Sequence, residues 1–364
     1  MNKAFFINGG AGRVLCSMPA LESYAEKHED FIIVSEGWNE LYSCSKVLRD
    51  KVYPVNHKDL FEKHLKDKEI ISPEPYRLNA YFNQKCNLIQ AFDIIINELT
   101  EIPKNKKINL ELNKAEQITG YNIVNEVREV AKKDKIVVFQ PFGSTVQAER
   151  NFIFDASGRS FEVANVIKII EELKKNYGVI LMSQVEIPNW QELGIAMPQN
   201  VSLPQWAGII NAADYFLGCD SVGQHISYAL NKPSTIVVGS TYPENISYPN
   251  EKNFQVIDNG KNKRKYSPIR MTFDDCRDRN NEDLMVLTDD KIKEIVKSIR
   301  DKIGISKVSN ETLKLNGLSG KTEISKLNPT SNLPITNFNG FQKPKLSNKK
   351  KPIEQILEIN DIKS

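Results

Sequence analysis

No apolar run in the 364 residues approaches the roughly 18 residues of a membrane-spanning helix. The five cysteines (16, 44, 86, 219 and 276) are odd in number and widely scattered, which excludes a disulfide framework and a paired-cysteine metal site. The four histidines (28, 57, 64 and 225) are equally dispersed, so no zinc cluster is expected. Met1–Lys3 leads straight into Ala4-Phe5-Phe6-Ile7, too short for a signal-peptide core, and a cytoplasmic location is expected. Strong net charge is also missing, at +3 overall. Residues 305–364 hold ten lysines and five acids, so 1–304 carry −2, which excludes the basic balance of a dedicated nucleic-acid binder for the body.

What is present is a hydrophobic content of 40%, enough for full-sized cores, and a length suited to two domains with some excess. The first 55 residues are expected to alternate β-α-β-α-β, as strand (Lys3–Asn8), helix (Val14–Lys27, interrupted by Pro19), strand (Phe31–Val34), a second helical stretch and strand (Lys51–Val55), the signature of a parallel α/β sheet. A glycine turn, Asn8-Gly9-Gly10-Ala11-Gly12-Arg13, follows the first strand but lacks the third glycine of a dinucleotide fingerprint. A helix is expected over Asn83–Leu99, a last strand of this part over Lys107–Leu112, and a charged helix within Asn113–Asp134.

The second half repeats the alternation. Ile136–Gln140 reads as a strand ending in Pro141-Phe142-Gly143-Ser144, whose small residues permit close backbone approach to a phosphate. A helix capped by Ser160 is expected to run through Tyr177, followed by a strand at Gly178–Ser183, a short strand at Val201–Leu203 and a helix with Trp206, Ile209 and Ile210. Asp214–Pro249 then gives strand, turn, helix and strand: Asp214–Gly218, Cys219–Gly223, Gln224–Leu230 and Ser234–Val238. Ligands of open α/β sheets bind outside the carboxyl ends of the strands, and a helix starting there aims free N–H groups at a phosphate. Thr288 caps a final helix that Gly304 ends.

These residues carry a resemblance. Asp220-Ser221, His225, Ala229, Pro233, Gly239 and Pro243 match the D-S/T-G-x-x-H-x-A…P…G-x-T-x-P stretch of glycosyltransferase family 9, which includes the bacterial heptosyltransferases. Gly12-Arg13-Val14-Leu15 with Pro19-Ala20-Leu21 is similar to the family's opening G-D-V-L…P-A-L, and Pro141–Ser144 to its H-P-G-A/S. Three departures stand out. Glycine comes one place late, at Gly223 after Val222; Gln140 replaces a histidine; and Arg13 replaces the aspartate thought to act as base.

The resemblance implies the GT-B architecture: two Rossmann-like, doubly wound domains facing a cleft, 1–115 on the acceptor side and 116–304 on the nucleotide-sugar side. The final helix is expected to cross back to the first domain. The implied activity is metal-independent, inverting transfer of a sugar from an ADP- or UDP-linked donor to a hydroxyl, with no other cofactor. Donor-binding candidates are Gly143, Ser144, Arg159 (where the family has lysine), Gln184, Asp220, Ser221, Gly223, Gln224, His225 and Thr241. Guanidinium suits phosphate because it binds bidentately. Acceptor-side candidates are Gly10, Gly12, Arg13, Tyr76 and Arg77, and Glu36 is the carboxylate offered as replacement base.

The acceptor stays open. Family analogy gives a saccharide such as a lipopolysaccharide core. The basic tail and the Lys261–Lys265 run also allow a hydroxylated DNA base, and Arg13 allows a non-catalytic binding protein. From about Ser306 the composition turns to Ser, Asn, Lys, Gly, Thr and Pro, which is expected to be a disordered linker. Ile353–Ile362 is an apolar-faced peptide suited to a protein partner.

Overall fold

The computed structural model describes residues 2–149, 152–155, 157–264 and 282–307, all within the compact unit Met1–Pro329. The expected linker and the Ile353–Ile362 peptide therefore lie outside the described residues, apart from the first few positions after Gly304.

The amino-terminal lobe is built from β1 (Lys3–Ile7), α1 (Ala11–Ala25), β2 (Phe31–Ser35), β3 (Val52–Pro54) and β4 (Glu69–Ile71). The four strands are parallel in the order β3-β2-β1-β4. The chain winds outward from β1 to β3 and then returns to the other side of β1. This makes the carboxyl end of β1, with its glycine turn, a topological switch point. Helix α1 is continuous through Pro19 and buries Val14, Leu15, Met18 and Leu21.

Helices α2 (Asn79–Phe82) and α3 (Leu88–Ile96) follow. α3 starts later than the apolar pattern implied. Gln84 takes a left-handed φ of 57°, and Asn87 with Gln90 then closes a capping box. Lys107–Leu112, expected as a strand, is not one. This stretch is held by isolated anchors instead: Ile108 is buried, Lys106 pairs with Asp93 at 2.8 Å, and the Glu111 N–H donates to the Cys44 carbonyl.

Helix α4 (Lys114–Ala131), opened by an Asn113–Glu116 capping box, leads into the second lobe. There follow β5 (Ile136–Gln140), an antiparallel hairpin of β6 (Val146–Glu149) and β7 (Phe152–Asp155), α5 (Val163–Lys174) and β8 (Gly178–Leu181). Next come α6 (Leu203–Ala212), β9 (Tyr215–Cys219), α7 (Val222–Ala229), β10 (Ser234–Val238), α8 (Pro243–Ile246), β11 (Phe254–Asp258) and α9 (Asp289–Ile303). The parallel order β11-β10-β9-β5-β8 places a second switch point between β5 and β9.

Two expectations fail here, one about a cap and one about a strand. Ser160 does not cap α5, which begins at Val163; its hydroxyl accepts the Gly143 N–H instead, at 2.9 Å. Val201–Leu203 is not a strand, because Ser202 and Gln205 form the capping box of α6.

The final helix is also a correction. α9 does not cross back to the first lobe. Its apolar stripe, Ile292, Ile295 and Ile299, is buried in the second lobe's core with Val137, Ile169 and Val237, and Ser298 bonds Thr235 at 2.6 Å. The lobes meet elsewhere, through one continuous apolar cluster that runs from Phe5 and Leu15 to Ile226 and Trp206. Asn245 of α8 seals the seam by donating to the carbonyls of Tyr81 (2.8 Å) and Cys86 (3.1 Å).

Candidate active site

A cleft of about 580 Å³ lies at the carboxyl ends of the two sheets, so both switch points open into it. One wall is the turn Gly9–Arg13 with Trp38, Glu40 and Tyr76. The other is made by Gln140, residues 142–145, Arg159, residues 182–184 and 198–203, Trp206, residues 220–222 and His225. The walls nearly touch: a Cβ added at Gly10 would sit 4.0 Å from Ser144 Oγ.

The turn after β9 explains the late glycine. The Gln140 side chain reaches over from the end of β5, where its Oε1 accepts the Gly223 N–H at 2.9 Å and its Nε2 donates to Ser221 Oγ at 3.0 Å. Gln140 thus acts as the cap of α7, a task no side chain of the turn performs. Gly223 makes room for this. A Cβ there would fall 2.3 Å from Gln140 Oε1 and 2.4 Å from the Phe216 ring. Gly223 is therefore a packing residue behind the turn and does not line the cleft. Gln224 is also behind it, fully buried and donating to Asp220 Oδ1 at 2.8 Å. Ser221 and Val222, the first residues of the helix, are what the cleft meets.

Asp155, at the end of β7, organises the loop beside them. Its carboxylate accepts from Thr145 Oγ1 (2.6 Å), Ser157 Oγ (2.6 Å), the Ser157 N–H (2.8 Å) and Ser160 Oγ. Burial alone would raise its pKa, but these donors outweigh burial and hold the carboxyl below its ordinary value. Arg159 is tethered by Nε to Ser157 Oγ at 3.0 Å and lies against Gly143. Burial works against its charge, yet Asp220 and Asp155 more than compensate, and its pKa lies above the ordinary value. The cleft wall thus carries a firmly held guanidinium beside the start of α7, where the helix dipole also favours an anion.

His225 sits under the cleft at the seam of the lobes. Its Nδ1 pairs with the Tyr248 hydroxyl at 2.7 Å and lies 3.5 Å from Cys16 Sγ. The ring is packed so close to α1 that a Cβ at Gly12 would lie 3.1 Å from Nε2. Burial, and after it the charge of Arg159, pushes its pKa down to about 3, so the ring is neutral.

Across the cleft, Arg13 is committed to structure. Its guanidinium donates to the Asn8 carbonyl (2.9 Å), Asn8 Oδ1 (2.9 Å), the Pro73 carbonyl (3.2 Å) and Glu74 Oε1 (3.2 Å), and it stacks on Tyr76 at 4.9 Å. It staples the glycine turn to the Pro73–Tyr76 turn 60 residues later.

Among the acceptor-side candidates, Gly10, Gly12, Arg13 and Tyr76 line the cleft; Arg77 is exposed and does not. Glu36 does not line it either. Its carboxylate turns back to accept the Gly9 N–H at 3.4 Å, and Glu40 is the glutamate at the cleft. On the donor side Gly143, Ser144, Arg159, Gln184, Asp220, Ser221 and His225 are gathered; Thr241 lies elsewhere, half-buried. Trp38, Glu40, Asp155 and Trp206 escaped the sequence reading of the site, and Gln140 was read there only as the replacement of a histidine. A Trp three residues beyond a strand's carboxyl end was the one available signal for the first.

The basic run at 261–265 is less basic at the surface than its composition implies. Arg264 is turned inward, donating to Asp258 (2.5 Å) and the Gly239 carbonyl (2.8 Å) and stacking over Tyr242. Nothing among the described residues supports a DNA or protein partner. No helix among them is long and apolar enough to cross a membrane, and no group of three or more His, Cys, Asp or Glu side chains is gathered where it could hold a metal ion.

No protein-family model matches the sequence, and a search of curated proteins returns no match. Solved structures do match. A glycosyl transferase family 9 protein from Veillonella parvula shares 11% identity over 82% of this chain and 96% of its own, with a TM-score of 0.57. ADP-heptose LPS heptosyltransferase II of E. coli shares 11% over 83% and 98%, with a TM-score of 0.54. An iron-containing dodecameric glycosyltransferase of enterotoxigenic E. coli shares 11% over 82% and 76%, also at 0.54. The fold of this chain is accordingly the GT-B fold of family 9 glycosyltransferases, as the motif resemblance implied.

Proposed function

We propose that the protein is a glycosyltransferase that moves a sugar from a nucleotide-diphospho-sugar to a hydroxyl of a saccharide. The observation that carries this reading is the convergence on one cleft wall of Arg159, the Gly143-Ser144 turn and the start of α7 at Ser221, from three separate strand connections. Arg159 and the first N–H groups of α7 neutralise the diphosphate as it departs, an electrostatic and positioning role. The apolar and amide residues farther along the same wall, Met182, Gln184, Leu203 and Trp206, suit a nucleobase.

The acceptor enters from the opposite wall, and attack from the face away from the diphosphate inverts the anomeric centre. A family 9 neighbour is described as an ADP-heptose lipopolysaccharide enzyme. An ADP-linked sugar and a lipopolysaccharide-core-like saccharide, met in the cytoplasm, are therefore the first pair to try. With the leaving charge met by protein groups, catalysis needs no metal ion.

The test is thermal unfolding against ADP-, UDP-, GDP- and CDP-sugars. A donor at about 100 times its Kd stabilises by about 2.7 kcal/mol, roughly 4 °C for a unit of this size. A shift with one nucleotide identifies the base; no shift with any refutes the donor site.

A further inference from the structure

The cleft lining contains two carboxylates among the described residues, Glu40 and Asp220. Asp220 belongs to the diphosphate wall: it is 3% exposed, takes the Gln224 amide, and its charge is set against Arg159. Glu40 belongs to the opposite wall, where the acceptor enters, and it is open to solvent. It is not on a loose loop. It rides on the 3-10 helix Asn39–Cys44, whose Leu41, Tyr42 and Cys44 are buried to 1% exposure or less.

The residue that aims this helix is Trp38, with φ 62° and ψ 28°. A side chain in the left-handed region is disfavoured and persists only where packing holds it. Here the indole is half-buried against the core and its remaining face lines the cleft. An indole face and a carboxylate, two residues apart on a rigid support, are what a sugar needs: a surface for its C–H face and an acceptor for a hydroxyl proton. Arg13, meanwhile, is occupied by Asn8, Pro73 and Glu74.

We infer that Glu40 is the catalytic base that accepts the proton of the attacking saccharide hydroxyl, and that Trp38 is the platform on which that saccharide stacks. The inference rests on the glycosyl-transfer reading above. The acceptor oxygen forms its bond to the anomeric carbon as that carbon's bond to the diphosphate oxygen breaks. The electron pair leaves with the nucleoside diphosphate, and the hydroxyl proton passes to Glu40, which later returns it to water.

The experiment uses the full chain and whichever nucleotide-sugar raises its melting temperature. Nucleoside diphosphate release is followed with water alone and with maltotriose, chitotriose and a lipopolysaccharide-core oligosaccharide. Glu40→Gln is expected to keep the donor Kd within about twofold and to lower turnover at least 100-fold, within the usual range for a general base. Glu40→Asp should recover part of it. Sodium azide, an anionic nucleophile that needs no base, should restore release in Glu40→Gln and yield the glycosyl azide. Trp38→Ala should raise the KM for the saccharide more than it changes kcat.

Turnover by Glu40→Gln within threefold of the parent overturns the assignment, as does azide without effect. So does a parent enzyme that binds donor yet turns over with neither water nor any oligosaccharide. Absence of a melting shift with every donor is a different result, since it removes the donor site itself.

Discussion

Replacing Arg159 by alanine is the sharpest test of the diphosphate site. The guanidinium is held by Ser157 Oγ and flanked by Asp155 and Asp220, so its position does not depend on ligand. A hydrogen bond to a charged partner contributes about 1.5–3 kcal/mol net, and every 1.4 kcal/mol is tenfold in Kd. Removing one such contact should therefore weaken donor binding about 10- to 150-fold. The upper end is favoured because the variant leaves Asp220 facing the diphosphate, with Asp155 behind it, and the cation between them gone. Asp155 keeps its hydroxyl and N–H donors, so folding should suffer only about 1 kcal/mol, or roughly 2 °C. Arg159→Lys keeps the charge but not the fork and should fall between. Calorimetric titration with the cognate nucleoside diphosphate reads this directly. A well-folded Arg159→Ala protein whose Kd changes less than threefold would refute the reasoning.

Four further expectations follow from particular contacts. Gln140→Ala strips the cap from α7 and leaves the Gly223 N–H without its partner, so it should cost about 1–2 kcal/mol in chemical denaturation and weaken donor binding as well. Gly208→Ala would set a Cβ 2.1 Å from the Glu116 carbonyl where α4 crosses α6; overpacking of about 1–3 kcal/mol should appear as a lower melting temperature with donor affinity unchanged. His225 stays neutral when folded, with its pKa near 3, while in the unfolded chain it takes up a proton below about pH 6.5. Its contribution is thus fully present above that value and lost as pH falls, by about 2 kcal/mol between pH 7 and pH 5, and His225→Gln should flatten that part of the stability profile. Turnover should be unchanged by a chelator such as EDTA; loss of activity restored by a divalent cation would refute metal independence.

Much of this protein is written locally. The strands β1, β2, β5, β8, β9 and β10 announce themselves as short apolar runs ending in glycine or small polar residues. The cap at Thr288 is readable because a capping side chain bonds the backbone N–H only three residues on. The strand-end rule marks the turn after β9 as a ligand site, and the resemblance to family 9 implies that it and the turns after β1 and β5 face one cleft. The short strand β4 was not legible, since it owes its pairing to β1, distant in sequence; the hairpin β6–β7, whose two strands are neighbours in the chain, and strand β11 also went unread.

The chemistry of the site was decided in three dimensions. Arg13 reads as a lost base or a cleft cation, but Asn8, Pro73 and Glu74 claim its donors, and two of those partners lie 60 residues away. Glu36 and Glu40 are indistinguishable as loop acids in the sequence; the left-handed turn at Trp38 points one at Gly9 and leaves the other at the cleft. Gly223 reads as a misplaced phosphate glycine, and only the Gln140 side chain arriving from another strand shows why it stands there. Periodicity and caps act over a few residues and so are carried by the sequence alone. The partner of a buried charge or a missing Cβ is set by which strands lie side by side, and that is known only once the chain has folded.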